Sequence, residues 1–332
     1  MAKYRDTDYM FASARVGSAD NHRMRSADFR KMVDAPGAEE AFKVLTDRPG
    51  FQGWALEDYD KALDRAQEEA YRLVEEISPE DRLVGLFRLK YDGHNLKTAI
   101  KARQRTASSE HIYSPLGTVP VGEIQAQLDG DGSPLPQPLG EAAVQALEAL
   151  AKTGDPQQVD VLVDQGVLAQ MLAVAKEIDN PFITRMVTAQ VDVANIRAAV
   201  RLQRMGGDAA ALSRVLSPGG SLSVDSLRDA ALLGMDALLA LVADWTYGDA
   251  LAPSFGGLRT GGTLSHFEKL CDNSTVRLLE EVRLIPFGIE PLAVYLWAKE
   301  SEMKAARIIL ASKLAGVAPE QIAERLRETY GE

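Results

Sequence analysis

Cysteine is nearly absent from this chain. Cys271 is the single thiol in 332 residues, which excludes an intramolecular disulfide and fits a reducing compartment. Histidine is scarce too: His22, His94, His111 and His266 stand far apart, with neither His-Glu-x-x-His nor Cys-x-x-Cys spacing, so no metal site is expected. Aromatic residues are 6% of the chain, and strand-like alternation of Val, Ile, Thr and Tyr is hard to find, which argues against a β-fold. Positive charge is outweighed, with a net charge of −11 at pH 7. That balance argues against a broad nucleic-acid footprint and against a polybasic lipid-binding face. Nowhere do 18 uncharged apolar residues run together, and Met1-Ala2-Lys3-Tyr4-Arg5-Asp6 has no apolar signal core. The chain therefore reads as neither secreted nor inserted directly into lipid.

The usual marks of catalysis are missing as well. There is no Gly-x-x-x-x-Gly-Lys phosphate loop, and the glycine-rich loop from Gly256 to Gly262 has no lysine. No nucleophile elbow frames a serine. Cys271, among Phe267, Leu270 and Leu278, reads as a small core residue. No catalytic residue and no cofactor is expected.

What the chain does have is helix-forming material. Ala, Leu, Glu, Arg and Gln dominate, and 46% hydrophobic residues can build a substantial core, so the expected class is all-α. Helices are predicted over residues 6–16, 26–35, 38–45, 57–77, 140–152, 157–178, 182–205, 291–314 and 318–330, with a further one starting at Ser78-Pro79-Glu80. The Gly-, Pro- and Ser-rich stretch 108–138 is the clearest linker.

One helical phrase recurs. Asp92-Gly93-His94-Asn95-Leu96-Lys97 returns 100 residues later as Asp192-Val193-Ala194-Asn195-Ile196-Arg197, and 107 further on, loosely, as Lys299-Glu300-Ser301-Glu302-Met303-Lys304. Short tandem arrays repeat every 20 to 50 residues or so; this spacing describes three copies of a subdomain, at 1–114, 115–216 and 217–332. A second phrase, a small or polar residue, an acid and then an apolar residue, surrounds Phe29, Ile124, Leu227 and Ile322, which stand 95, 103 and 95 apart. It predicts a capped helix opening each copy. At the offset of 100, Leu63 meets Val163, Asp64 meets Asp164, Leu86 meets Met186 and Asp92 meets Asp192, so the same helix faces are expected to be buried in both copies.

The polar members of the phrase have two readings each. Lys97, Lys101 and Arg105 form a basic ridge repeated by Arg197 and Arg201, either a solvated face or a shared contact. Asp92 with Asn95, and Asp192 with Asn195, are i, i+3 pairs that either satisfy nearby backbone or meet a neighbouring helix. With Lys304 and Arg307 of the third copy, these are the candidate partner-interface or inter-helix residues. The third copy departs from the others, with Lys299 and Glu302 for the Asp and Asn, and Arg307 at the apolar position of Ile100 and Val200.

The run Phe87-Arg88-Leu89-Lys90-Tyr91-Asp92-Gly93-His94-Asn95-Leu96-Lys97, the stretch from Ile285-Pro286-Phe287-Gly288-Ile289-Glu290-Pro291 through Lys304, and the tail Glu324-Arg325-Leu326-Arg327-Glu328-Thr329-Tyr330 resemble the C subunit of the prokaryotic V/A-type rotary ATPases, related to the d subunit of the eukaryotic vacuolar ATPase. The likeness covers almost the whole chain. It implies three similar helical subdomains arranged as a pseudo-threefold funnel. It also implies a non-catalytic rotor component that couples central-shaft subunits of the D and F type to the membrane proteolipid ring for rotary ion transport, peripheral on the cytoplasmic side of the membrane. A helical scaffold or adaptor for another complex is the rival, but a solenoid would need a period of roughly 34 to 47 residues, and none is found.

Overall fold

Apolar residues spaced three and four apart become the inner faces of helices from one end of the chain to the other. The structure, a computed structural model, describes residues 4–104, 113–131, 135–328 and 330. Among them are α-helices and short 3-10 turns and no strand; the protein is all-α. The order begins α1 (Met10–Asp20), α2 (Ser26–Asp34), α3 (Ala38–Thr46), α4 (Tyr59–Ile77) and α5 (Arg82–Ala102). It continues α6 (Val121–Asp129), α7 (Leu139–Thr153), α8 (Pro156–Ile178), α9 (Pro181–Arg204), α10 (Ala209–Val215), α11 (Val224–Leu233), α12 (Met235–Ala243) and α13 (Phe255–Arg259). Last come α14 (Ser265–Glu280), α15 (Ile289–Leu314) and α16 (Pro319–Arg325). The offset of 100 carries α4 onto α8 and α5 onto α9, and Leu63, Gln67, Ala70 and Tyr71 are buried alongside their counterparts Val163, Val167, Gln170 and Met171.

Helix starts show local chemistry at work. Asn180 accepts from the N–H groups of Phe182 and Ile183 ahead of Pro181, and Asp155 accepts from Gln157 ahead of Pro156; proline at the first position loses only an N–H that has no helical partner. The caps expected at the opening helices are mixed. Ser223 accepts from Ser226 at the start of α11. At α2 the cap residue is Arg25, not Ser26, and its N–H is taken by the Asp28 carboxylate at 3.0 Å. Pro120 and Ala318 make no side-chain cap bond before α6 and α16, because neither side chain offers an acceptor.

The chain divides into two compact units, Gly85–Cys271 and a second that joins the residues up to Val84 with those from Asp272 onward. Within Gly85–Cys271, α8 packs between α7 and α9, and α9 also meets α10, α11 and α12. Gly166 of α8 lets α7 come close; a Cβ there would collide with Ala142. By length and composition α8 could cross a bilayer, but its Asp160 and Asp164 are paired to lysines of α5.

The second unit is built around α15, which touches α1, α2, α3, α4 and α16. Met303, Ala306, Ile309 and Leu310 of α15 share one core with Met24, Phe29, Met32, Phe42, Leu45 and Leu63 from the N-terminal helices and with Ile322 of α16. A helix approached from several sides must be apolar on several sides, and α15 is: Leu292, Ala293, Leu296 and Ala298 are buried too.

Candidate functional site

The recurring phrase forms two docks of the same design. Asp92 and Asn95 lie one turn apart on α5, 2% and 1% exposed. Asn95 clamps the backbone of Ser114, accepting its N–H at 2.7 Å and donating to its carbonyl at 2.9 Å. Asp92 accepts from the Thr118 N–H and hydroxyl at 2.7 and 2.6 Å and from the Val119 N–H at 3.0 Å. On α9, Asn195 holds both backbone groups of Ser217 at 2.7 Å. Asp192 accepts from the Ser221 hydroxyl at 2.6 Å, the Leu222 N–H at 3.0 Å and the Trp245 indole N–H at 3.1 Å.

The residue types follow from hydrogen-bond inventory. An amide both donates and accepts, so Asn can satisfy a complete peptide unit, whereas an ionised carboxylate only accepts and therefore faces N–H and O–H donors. Each dock fixes the loop that leads into the next opening helix, α6 or α11. Gly117 and Gly220 let that loop pass over the acid, since a Cβ at either would strike an Asp92 or Asp192 oxygen. Burial pushes the Asp92 carboxyl above its usual range, opposed by the bonds from Thr118 and Val119 and by Arg88.

The third phrase docks a different segment. Glu302, in the place of the Asn, accepts the Met24 N–H at 3.1 Å, so the clamped backbone is the one that leads into α2. Glutamate cannot satisfy a carbonyl, and its charge needs a partner in a buried place. Lys299 supplies it at 2.8 Å, with side-chain exposures of 14% and 3%.

The basic ridges meet acids on neighbouring helices. Lys97 pairs with Asp164 at 2.6 Å and Lys101 with Asp160 at 2.5 Å. Arg201 pairs with Glu268 of α14 at 2.5 Å, and Arg197 donates to the Glu268 carbonyl at 3.3 Å. Arg307 forks between Asp60 and Asp64 of α4, 2.7 Å from each, while Lys304 reaches Asp272 at 3.6 Å. Burial raises the Asp64 carboxyl, with Arg307 pulling it down and Asp60 pushing it up. Arg105 lies outside the described residues. All ten candidate residues are thus engaged with other elements of their own unit.

Sequence reasoning missed the far sides of these contacts. The signal was present: Ser114 and Ser217, Thr118 and Ser221, and Gly117 and Gly220 all stand 103 apart, and Asp60 and Asp160 stand 100 apart. Among the described residues no group of three or more His, Cys, Asp or Glu could hold a metal ion. The chemistry of these clusters is the fastening of helices and loops.

The same arrangement runs through a chain that matches a known family nearly end to end. The ATP synthase (C/AC39) subunit family matches residues 12–325. The C subunit of the V-type sodium ATPase of Enterococcus hirae is 23% identical over 306 residues, covering 91% of this chain and 93% of the relative. The C subunit of the A-type ATP synthase of Thermococcus gammatolerans is 26% identical over 344 residues, 97% of this chain and 90% of its own. That of Methanocaldococcus jannaschii is 23% identical over 341 residues, 95% and 85%. With relatives that are all C subunits of such complexes matching along most of both lengths, this chain belongs to the ATP synthase (C/AC39) subunit family of the V- and A-type rotary ATPases.

Proposed function

We propose that the protein is a non-catalytic rotor element of its ATPase, a socket that joins the central-shaft subunits to the membrane proteolipid ring on the cytoplasmic side and turns with both. The carrying observation is the repetition of the dock, at Asp92 and Asn95, at Asp192 and Asn195, and in altered form at Lys299 and Glu302. The pairing order supports a pseudo-threefold funnel of repeats at 1–114, 115–216 and 217–332. The first repeat reaches the second through Lys97 and Asp164, the second reaches the third through Arg201 and Glu268, and the third reaches the first through Arg307 and Asp60.

The job favours such a build. Torque must pass through several contacts held at once, which a stiff helical wall provides and a flexible tether does not. A stable junction of this kind buries on the order of 1,200 to 2,000 Å² or more. In this reading the ten phrase residues brace the wall, and the shaft and ring meet other parts of the surface. Titration of the purified protein with the shaft subunits in a calorimeter tests the proposal. A 1:1 complex is expected. A correctly folded protein that binds neither the shaft nor the isolated ring would sink it.

A further inference from the structure

The half-exposed ion pairs have an order that simple surface charges lack. On α5 and α8 they form an antiparallel ladder: Lys97 takes Asp164 and Lys101, one turn on, takes Asp160, one turn back. On α15 and α4 a single Arg307 bridges the counterparts of those acids, Asp60 and Asp64. On α9 and α14, Arg201 holds Glu268 by Nε at 3.1 Å and Nη2 at 2.5 Å. Each of these seams lies inside one compact unit.

We propose that the seams are register locks, and that their charged residues are positioning residues for torque transfer. This rests on the rotor reading. Hydrophobic burial is non-directional, so an apolar interface between two helices opposes sliding only through the shape of its side chains. A ladder of opposite charges has one favoured alignment. Sliding α5 against α8 by one turn sets Lys97 opposite Asp160 and carries Lys101 past the end of the acid pair. At Gly93 the Val167 side chain fills the space a Cβ would take, so α5 and α8 also interlock by shape, at that one position. Charge pairs between partly exposed side chains add little to stability, and here they act as specificity elements that suppress the wrong alignment. The Asp60/Asp160 and Asp64/Asp164 recurrence places the acid halves of two locks on the same helix face of two repeats.

The test uses the full chain in the assembled ATPase, reconstituted in vesicles, with ATP hydrolysis and ion transport read together. Asp160→Lys with Asp164→Lys reverses one lock. The variant is expected to enter the complex and to hydrolyse ATP, while the ions moved per ATP fall about twofold or more; adding Lys97→Asp and Lys101→Asp should restore the ratio, the coupling expected of residues that act as a pair. The milder Lys97→Met with Lys101→Met should give a smaller fall with an unchanged melting temperature, which a merely structural role does not predict. An unchanged ratio in a folded reversed variant, or no recovery in the charge-swapped quadruple variant, overturns the proposal. Failure of the unaltered protein to join shaft and ring overturns the rotor reading instead.

Discussion

At the scale of single residues, the docks concentrate their value in a few buried polar atoms. Asn195→Ala strips both partners from the Ser217 peptide groups inside a protected site, and leaving buried groups unsatisfied costs about 1 to 3 kcal/mol each. A loss of about 2 kcal/mol or more in urea unfolding is expected; a loss below about 0.5 kcal/mol would mean that water replaces the amide. Asn195→Asp should fare no better, because it keeps an acceptor for the Ser217 N–H but turns a carboxylate on the carbonyl. Asp92 carries a prediction about pH. Its folded pKa is raised from 3.8 by burial, so the folded state binds the proton more tightly than the unfolded one. That contribution makes the protein more stable as pH falls through the raised value toward 3.8, and less stable as pH rises. Asp92→Asn removes it, so the difference in melting temperature between the two proteins should change between pH 7 and pH 4 in the unaltered protein's favour. Asp28, where burial raises the carboxyl but the Arg25 backbone N–H and the Arg48 guanidinium together hold it below its usual range, acts in the opposite sense but is common to both and cancels.

At the scale of helices, close approach decides what can change. Gly93→Ala places a methyl group against Val167 across the α5 and α8 contact, and overpacking of this kind costs about 1 to 3 kcal/mol. A shifted denaturation midpoint with an unchanged slope is the expected result; no shift would show that Val167 simply rotates away. Much at this scale was legible in the sequence. Period and proline placement located α4, α7, α8, α9 and α15 within a few residues, because long amphipathic segments repeat their signal over several turns. The short turns between Trp245 and Arg259 were not separable, since pieces of three to five residues carry too few periods. The dock was half legible. The phrase itself could be read from recurrence, but Asn95 meeting Ser114, or Glu302 meeting Met24, depends on where loops return in space. No local pattern encodes a contact between positions 302 and 24.

At the scale of the whole molecule, the division into two compact units predicts that each opens on its own. Arg307→Met removes the cation between Asp60 and Asp64 and leaves two like charges facing each other on α4. Local opening should follow the unit: amide exchange is expected to speed up in α4 and α15 and to stay unchanged in α7 to α9. Equal acceleration in both units would show that they open together. The second unit also sets a schedule. Met24, Phe29, Met32, Phe42 and Leu45 complete their core against Met303, Ile309 and Leu310. A ribosome adding roughly 5 to 20 residues per second must write all of Gly85–Cys271 before it writes α15. For that interval, seconds to a minute on this rate, α1 to α4 wait with the faces that meet α15 uncovered, so these helices, made before α15, are finished only after it, and their apolar faces are open to chaperones in the meantime.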